Sequence, residues 1–121
     1  MMNGRVDEQL RALVPIQVSA TQTDETDEII AWIDTAFNGS LVIPTARIDQ
    51  LGLAQESSAE AILADGNKVE LETFGCWIEW FGTRYHTQVV MNDSEYALLG
   101  TILLDGHRLE IDYPQKTVAL R

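Results

Sequence analysis

Basic residues are scarce in this chain. Its 121 residues include 8 Lys and Arg against 19 Asp and Glu, a formal net charge of −11. Nucleic acids and anionic membrane surfaces require a basic footprint, so this balance argues against both as partners. The acid excess names no partner of its own; solubility accounts for most of it. Cysteine is nearly absent: Cys76 stands alone, which excludes an intramolecular disulfide. With only 2 histidines, His86 and His107, the inventory for a tetrahedral metal site is poor, and neither metal nor cofactor is expected. No apolar run approaches the roughly 18 residues of a membrane helix. The opening "MMNGRVDEQLRALVP" lacks a long apolar core and carries acids, unlike a signal peptide. A soluble, cytoplasmic protein is the default expectation.

The chain does have a globular composition, 45% hydrophobic and 22% charged, and the length of a single domain. Residues 1–14 read as a polar N-terminal extension of weakly helical or irregular character. "IQVSATQ" (Ile16–Gln22) alternates like a half-buried strand. Thr23–Glu28 is a charged, solvated turn, and Ile29–Ile33 is continuous enough for a fully buried strand. Asn38-Gly39 marks a turn before the short strand Leu41–Ile43, closed by Pro44. "TARIDQLG" predicts a short helix with Thr45 as its cap, Ile48 and Leu51 on one face, and Gly52 as its stop. "LAQESSA" reads as a loop.

Beyond it, "EAILADGNKVELETF" predicts a hairpin turning at Asp65-Gly66. The apolar phase slips at Phe74-Gly75, the mark of a bulge or bend. A tight turn and another strand follow in "WFGTRYHTQVVM". Leu98-Leu99 end a buried strand, Gly100 permits close approach, and Thr101–Asp105 predicts a short helix stopped by Gly106. The last hairpin turns at Tyr113-Pro114. Many short strands with closely spaced turns predict an all-β barrel or sandwich with one or two short helices, residues 15–121 forming the domain.

One stretch calls for a chemical explanation. "IIAWIDTAFNGSLVIP" runs an apolar strand into an acid, Asp34. A carboxylate there is costly unless hydrogen-bonded, paired or protonated. On the tripeptide Asp-Thr-Ala alone, the plain reading is an Asx turn leaving a strand. The order of three features changes this: apolar strand into "DTA", hairpin with a polar tip, then "ALLG" before a short helix.

That order resembles the retropepsin-like aspartic peptidases, in particular their small single-domain prokaryotic branch, over residues 15 to 121. The matching segments are "WIDTAFNGSLVIP", "ILADGNKVEL" and "YALLGTILL". The resemblance implies a closed all-β barrel of the pepsin/retropepsin kind. It implies an aspartic endopeptidase acting on polypeptides through Asp34. Such enzymes use two carboxylates sharing one proton. One motif in a chain of this length therefore implies a homodimer, with Asp34 from each subunit at the axis. By the same resemblance, Thr35, Ala36, Leu98, Leu99 and Gly100 support the active-site loop. Ala64, Asp65, Gly66, Asn67 and Lys68 form the tip of a flap over substrate. Position 36 departs from the pattern, which has Gly; this keeps open a non-catalytic peptide-binding or dimerisation module on the same fold.

Other groupings are weaker. Cys76 with His86 lacks a third orienting group, and Ser40 lies in no nucleophile elbow. Asp65, Asp105 and Asp112 have ordinary turn or helix-end explanations and no cation-loop spacing. Trp77, Trp80 and Phe81 read first as packing, and second as groove or dimer contacts. An unrelated small barrel with a structural Asp34 remains the third reading.

Overall fold

The computed structural model describes residues 1–121, apart from the side chains of Ser57, Ser58, Ala59 and Ala61. The strands are β1 (Met2–Val6), β2 (Ala12–Ser19), β3 (Asp27–Ile33), β4 (Leu41–Pro44), β5 (Gln55–Ile62), β6 (Lys68–Trp80), β7 (Thr83–Asn92), β8 (Ala97–Leu99), β9 (Leu109–Asp112) and β10 (Thr117–Leu120). Two short helices interrupt them, α1 (Thr45–Leu51) and α2 (Thr101–Leu104). The strands run β6-β7-β4-β8-β3-β2 in space, and pairing of β2 with β6 closes this ring into a six-stranded barrel. Outside the ring, β5 extends from β6, while β1, β10 and β9 extend from β2.

Closure explains a proline in a central strand. Pro15 lies opposite Ile30 of β3. On its other side, β2 leaves β1 at Leu13 and meets β6 at Gln17. Pro15 lies in that gap, where no ladder needs the N–H it lacks. The barrel is filled by Val14, Ile16, Val18, Ala31, Leu41, Ile43, Cys76, Ile78, Val89 and Leu99, all at most 1% exposed. Val118 and Leu120 carry the same core down to the chain's end.

Several expectations need correction. Residues 1–14 are not irregular: β1 pairs with both β10 and β2. Gly4 makes this fit, since a Cβ there would lie 2.0 Å from the Leu13 carbonyl oxygen. The run Ile29–Ile33 is buried on one face only; Ile29, Ala31 and Ile33 point inward while Trp32 is 40% exposed. Thr45 does not cap α1. Pro44 occupies the cap position without a side-chain bond, and the Thr45 hydroxyl donates instead to the Asn92 carbonyl at 3.0 Å. Gly52 does stop the helix, with φ of 69° and its N–H on Asp49 O.

"LAQESSA" is not all loop. Strand β5 begins at Gln55, five residues before the hairpin arm expected from Glu60, and this first half pairs with β6 through its backbone in a stretch where apolar patterning gives no sign of it. The irregularity expected at Phe74-Gly75 lies on the facing strand, where the register shifts just beyond Gln55. There β6 also changes partner, from β5 to β7.

Candidate functional site

The chain leaves β3 at Ile33 and enters β4 at Leu41. Both strands flank β8: β3 runs parallel to it and β4 antiparallel. The intervening loop, residues 34–40, therefore lies across the end of β8. Its first residue is Asp34, whose N–H donates to Leu99 O at 2.9 Å. The Asp34 Oδ1 accepts the Ala36 N–H at 3.0 Å, and its carbonyl accepts the Phe37 N–H at 3.2 Å. This is an Asx turn built on a strand end. It holds the carboxylate half-exposed at the surface. Among the described residues, no ion pair engages Asp34.

The segment after β8 threads beneath that loop. Gly100 N–H donates to Ser40 O at 2.9 Å, Thr101 N–H to Phe37 O at 2.9 Å, and Ile102 N–H to Gly39 O at 3.1 Å. The Thr101 hydroxyl adds a bond to Phe37 O at 3.2 Å. The backbones are too close for a side chain at 100, where a Cβ would meet Gly39 O at 2.2 Å. Asp34, Leu98, Leu99 and Gly100 are thus brought together. Thr35 and Ala36 sit exposed at the loop's outer edge. Ala36 is absent from the residues with positive φ, so its methyl group meets no left-handed strain.

The β5–β6 hairpin turns at residues 63–67. Leu63 N–H donates to Asn67 O at 2.7 Å and Gly66 N–H to Leu63 O at 2.9 Å. Asp65 caps the turn through the Asn67 N–H and side-chain amide, at 3.0 and 2.9 Å. Gly66 takes φ of 86°. Lys68 bridges to Glu60 at 3.4 Å. These bonds join the hairpin to itself; none ties Ala64–Lys68 to the Asp34 loop.

Two groups of residues next to the site carry no sequence signal. The first is an open groove of about 650 Å³ beside the loop. Phe37, Leu41, Leu71, Val90 and Ile102 give it apolar walls, with Ser40, Glu60, His86 and Thr87 among its polar members. The second is a stack on the outer face of β3. Trp32 lies near the end of β3, two residues before Asp34. The Arg11 guanidinium lies 5.7 Å from the Trp32 ring and 4.7 Å from the Tyr96 ring. Asp7 pins it at 2.7 Å. Burial works to raise the Asp7 pKa, but the Arg11 backbone N–H and guanidinium outweigh it and hold the carboxyl below its ordinary value.

The competing groupings do not assemble. Cys76 is fully buried, and burial pushes its thiol up to about 12. His86 Nε2 is engaged by Glu56 at 2.6 Å. Among the described residues, no three His, Cys, Asp or Glu side chains gather as a metal-binding group. Trp80 is core, and its indole N–H meets His107 Nε2 at 3.2 Å.

The chain as a whole has counterparts among solved structures. A retropepsin-like aspartic protease from Rickettsia conorii superposes with a TM-score of 0.62 at 14% identity, covering 98% of this chain and 87% of that one. The fold is retropepsin-like. The protease of EIAV, solved with the inhibitor HBY-793, covers 81% of this retropepsin-like chain and 88% of its own, with a TM-score of 0.53 at 19% identity. The Simian Foamy Virus (mac) protease covers 74% and 90%, with a TM-score of 0.50 at 13% identity. No protein-family model matches the chain, and no curated protein does. Identities this low speak for the fold and leave the reaction to be argued from the site. No helix of the described residues is long and apolar enough to cross a membrane.

Proposed function

We propose that the chain is a cytoplasmic aspartic endopeptidase that hydrolyses polypeptides as a homodimer. The observation that carries this is Asp34 itself. It ends β3 in a hydrogen-bonded loop locked over Gly100, on a retropepsin-like barrel, with its carboxylate free of any cation among the described residues. One carboxylate cannot be both acid and base. Two copies of Asp34 meeting across a two-fold axis share a proton because both cannot ionise at close range. The ionised member takes a proton from water, and that water attacks the scissile carbonyl. The protonated member donates to the carbonyl oxygen, giving a gem-diol. The member that took the water's proton then passes it to the amide nitrogen as the C–N bond breaks, and one gem-diol hydroxyl returns its proton to the other carboxylate. The acid and amine products leave the dyad sharing one proton, a pair that titrates as a unit. No metal, cofactor or covalent intermediate takes part. Thr35, whose hydroxyl has no partner within one chain among the described residues, bonds across the axis. Ala36, Leu98, Leu99 and Gly100 hold the loop, and the hairpin tip Ala64–Lys68 closes over the substrate.

The departure at position 36 imposes no left-handed strain on the loop, and turnover by the wild-type protein separates the peptidase from the non-catalytic peptide-binding alternative. The Asp34→Asn variant is expected to lose cleavage of an unfolded-protein or peptide pool by at least about a thousandfold, with its fold and dimer intact. Undiminished cleavage by that variant would sink the reading.

A further inference from the structure

The loop that presents Asp34 also carries an aromatic ring with an unusual seat. Phe37 is fixed by three backbone contacts, its N–H on Asp34 O and its carbonyl accepting from the Thr101 N–H and hydroxyl. Its ring lies against two glycines. A Cβ on Gly39 would fall 2.4 Å from the ring tip, and one on Gly100 would fall 2.6 Å from a ring edge carbon. The ring therefore occupies space that those two positions leave empty. It lines the groove beside the loop that carries Asp34, together with Leu41, Val90 and Ile102.

The groove's polar members already have partners. Ser40 Oγ meets Thr87 Oγ1 at 2.7 Å, His86 meets Glu56, and Glu60 meets Lys68; Thr73 and Gln88 are engaged as well. What the groove offers an incoming chain is apolar surface, including the exposed side chains of Leu71 and Ile102. An unsatisfied polar side chain would lose water there and gain little.

We propose that Phe37 is the specificity-determining residue of this groove: its ring sets the size of the apolar substrate side chain seated beside the scissile bond. This rests on the peptidase reading above. The ring is held from below by main chain and cannot retreat toward Gly39 or Gly100. Side chains of Ala or Val size fit over it, whereas Phe and Trp collide with it. Pocket size discriminates by roughly tenfold or more per methylene-scale change.

The test uses peptide pools with one position fixed as Ala, Val, Leu, Phe or Trp. Cleavage by the wild-type protein tests the peptidase reading. Retention of the same pools on immobilised Asp34→Asn protein tests Phe37 without turnover. Wild-type selectivity is expected to favour Ala and Val over Phe and Trp by at least roughly tenfold, and Phe37→Leu and Phe37→Ala are expected to shift the preference to the larger side chains. Phe37→Leu decides the matter if Phe37→Ala does not fold. A size profile that Phe37→Leu leaves unchanged overturns the proposal. Size-dependent retention without any wild-type cleavage overturns the peptidase reading and supports the role of Phe37; no retention and no cleavage overturn both. A second readout needs no substrate: Gly39→Ala is expected to lower the melting temperature in the wild-type background and to do so much less in Phe37→Ala. Equal losses in both backgrounds would show that the ring is not seated on Gly39.

Discussion

At Gly100 a single hydrogen decides whether two chain segments can cross. A methyl group there would press on Gly39 O, Phe37 O and the Phe37 ring, and two of those atoms belong to main chain that has nowhere to go. Gly100→Ala is expected to cost roughly 1–3 kcal/mol and to lower the melting temperature by several degrees. A midpoint within one degree of wild type would contradict the threading described. Cys76 makes the opposite case, a reactive group kept silent. Burial holds its thiol protonated until about pH 12. The unfolded thiol ionises near its ordinary 9.0, so between those values the unfolded state binds fewer protons and this contribution to stability falls as pH rises. The native protein is expected to resist a disulfide exchange reagent at pH 8 and to react in full once denatured; rapid native reaction would refute the burial. At this scale Asp34 and Gly100 were legible because an acid ending an apolar strand, and a glycine after paired leucines, are locally odd. Phe37 was not, since an aromatic in a turn has no pattern until its glycine seats are seen. Nor was the ease of Ala36, which depends on a backbone angle no composition reveals.

Among elements, the central strands and α1 could be read from apolar spacing, because burial on at least one face imposes it; α2, with no buried residue, was marked by the glycines that flank it. Strand β5 could be read only in its second half, as the first arm of the hairpin from Glu60; its start at Gln55 could not, for there it is held to β6 by backbone pairing in a stretch with little apolar pattern. Strand β1 was hidden by its polar composition, yet it bridges β10 and β2. The barrel's outer face deceived in the other direction. Trp32 looks like core in the sequence, but Arg11 rather than another strand covers its ring. The bridging role of β1 is testable. Deleting residues 1–6 would strip a partner from β10 and from the N-terminal part of β2, next to the buried Val118 and Leu120. The denaturation midpoint is expected to fall clearly, with loss of solubility on the exposed strand edge. An unchanged midpoint would make β1 an ornament on the barrel.

In the proposed reading the whole molecule supplies half of a site. Its ring of six strands fixes where the Asp34 loop sits, and the likeness to a retropepsin-like protease is one of fold. The all-β class was legible from strand count and turn spacing, which left barrel and sandwich open; the family resemblance pointed to the barrel. The closure of β2 on β6, and the groove formed where β6 trades partners, depend on contacts distant in sequence. The proposed dyad needs a second chain, and that proposal has a quantitative signature. Wild-type protein is mixed with Asp34→Asn protein at constant total concentration, allowed to exchange subunits, and assayed on a peptide pool. If one Asp34 from each chain forms the dyad, mixed dimers are inactive and activity falls as the square of the wild-type fraction. Activity falling in direct proportion to that fraction would mean that each chain carries a complete site, and would contradict the account.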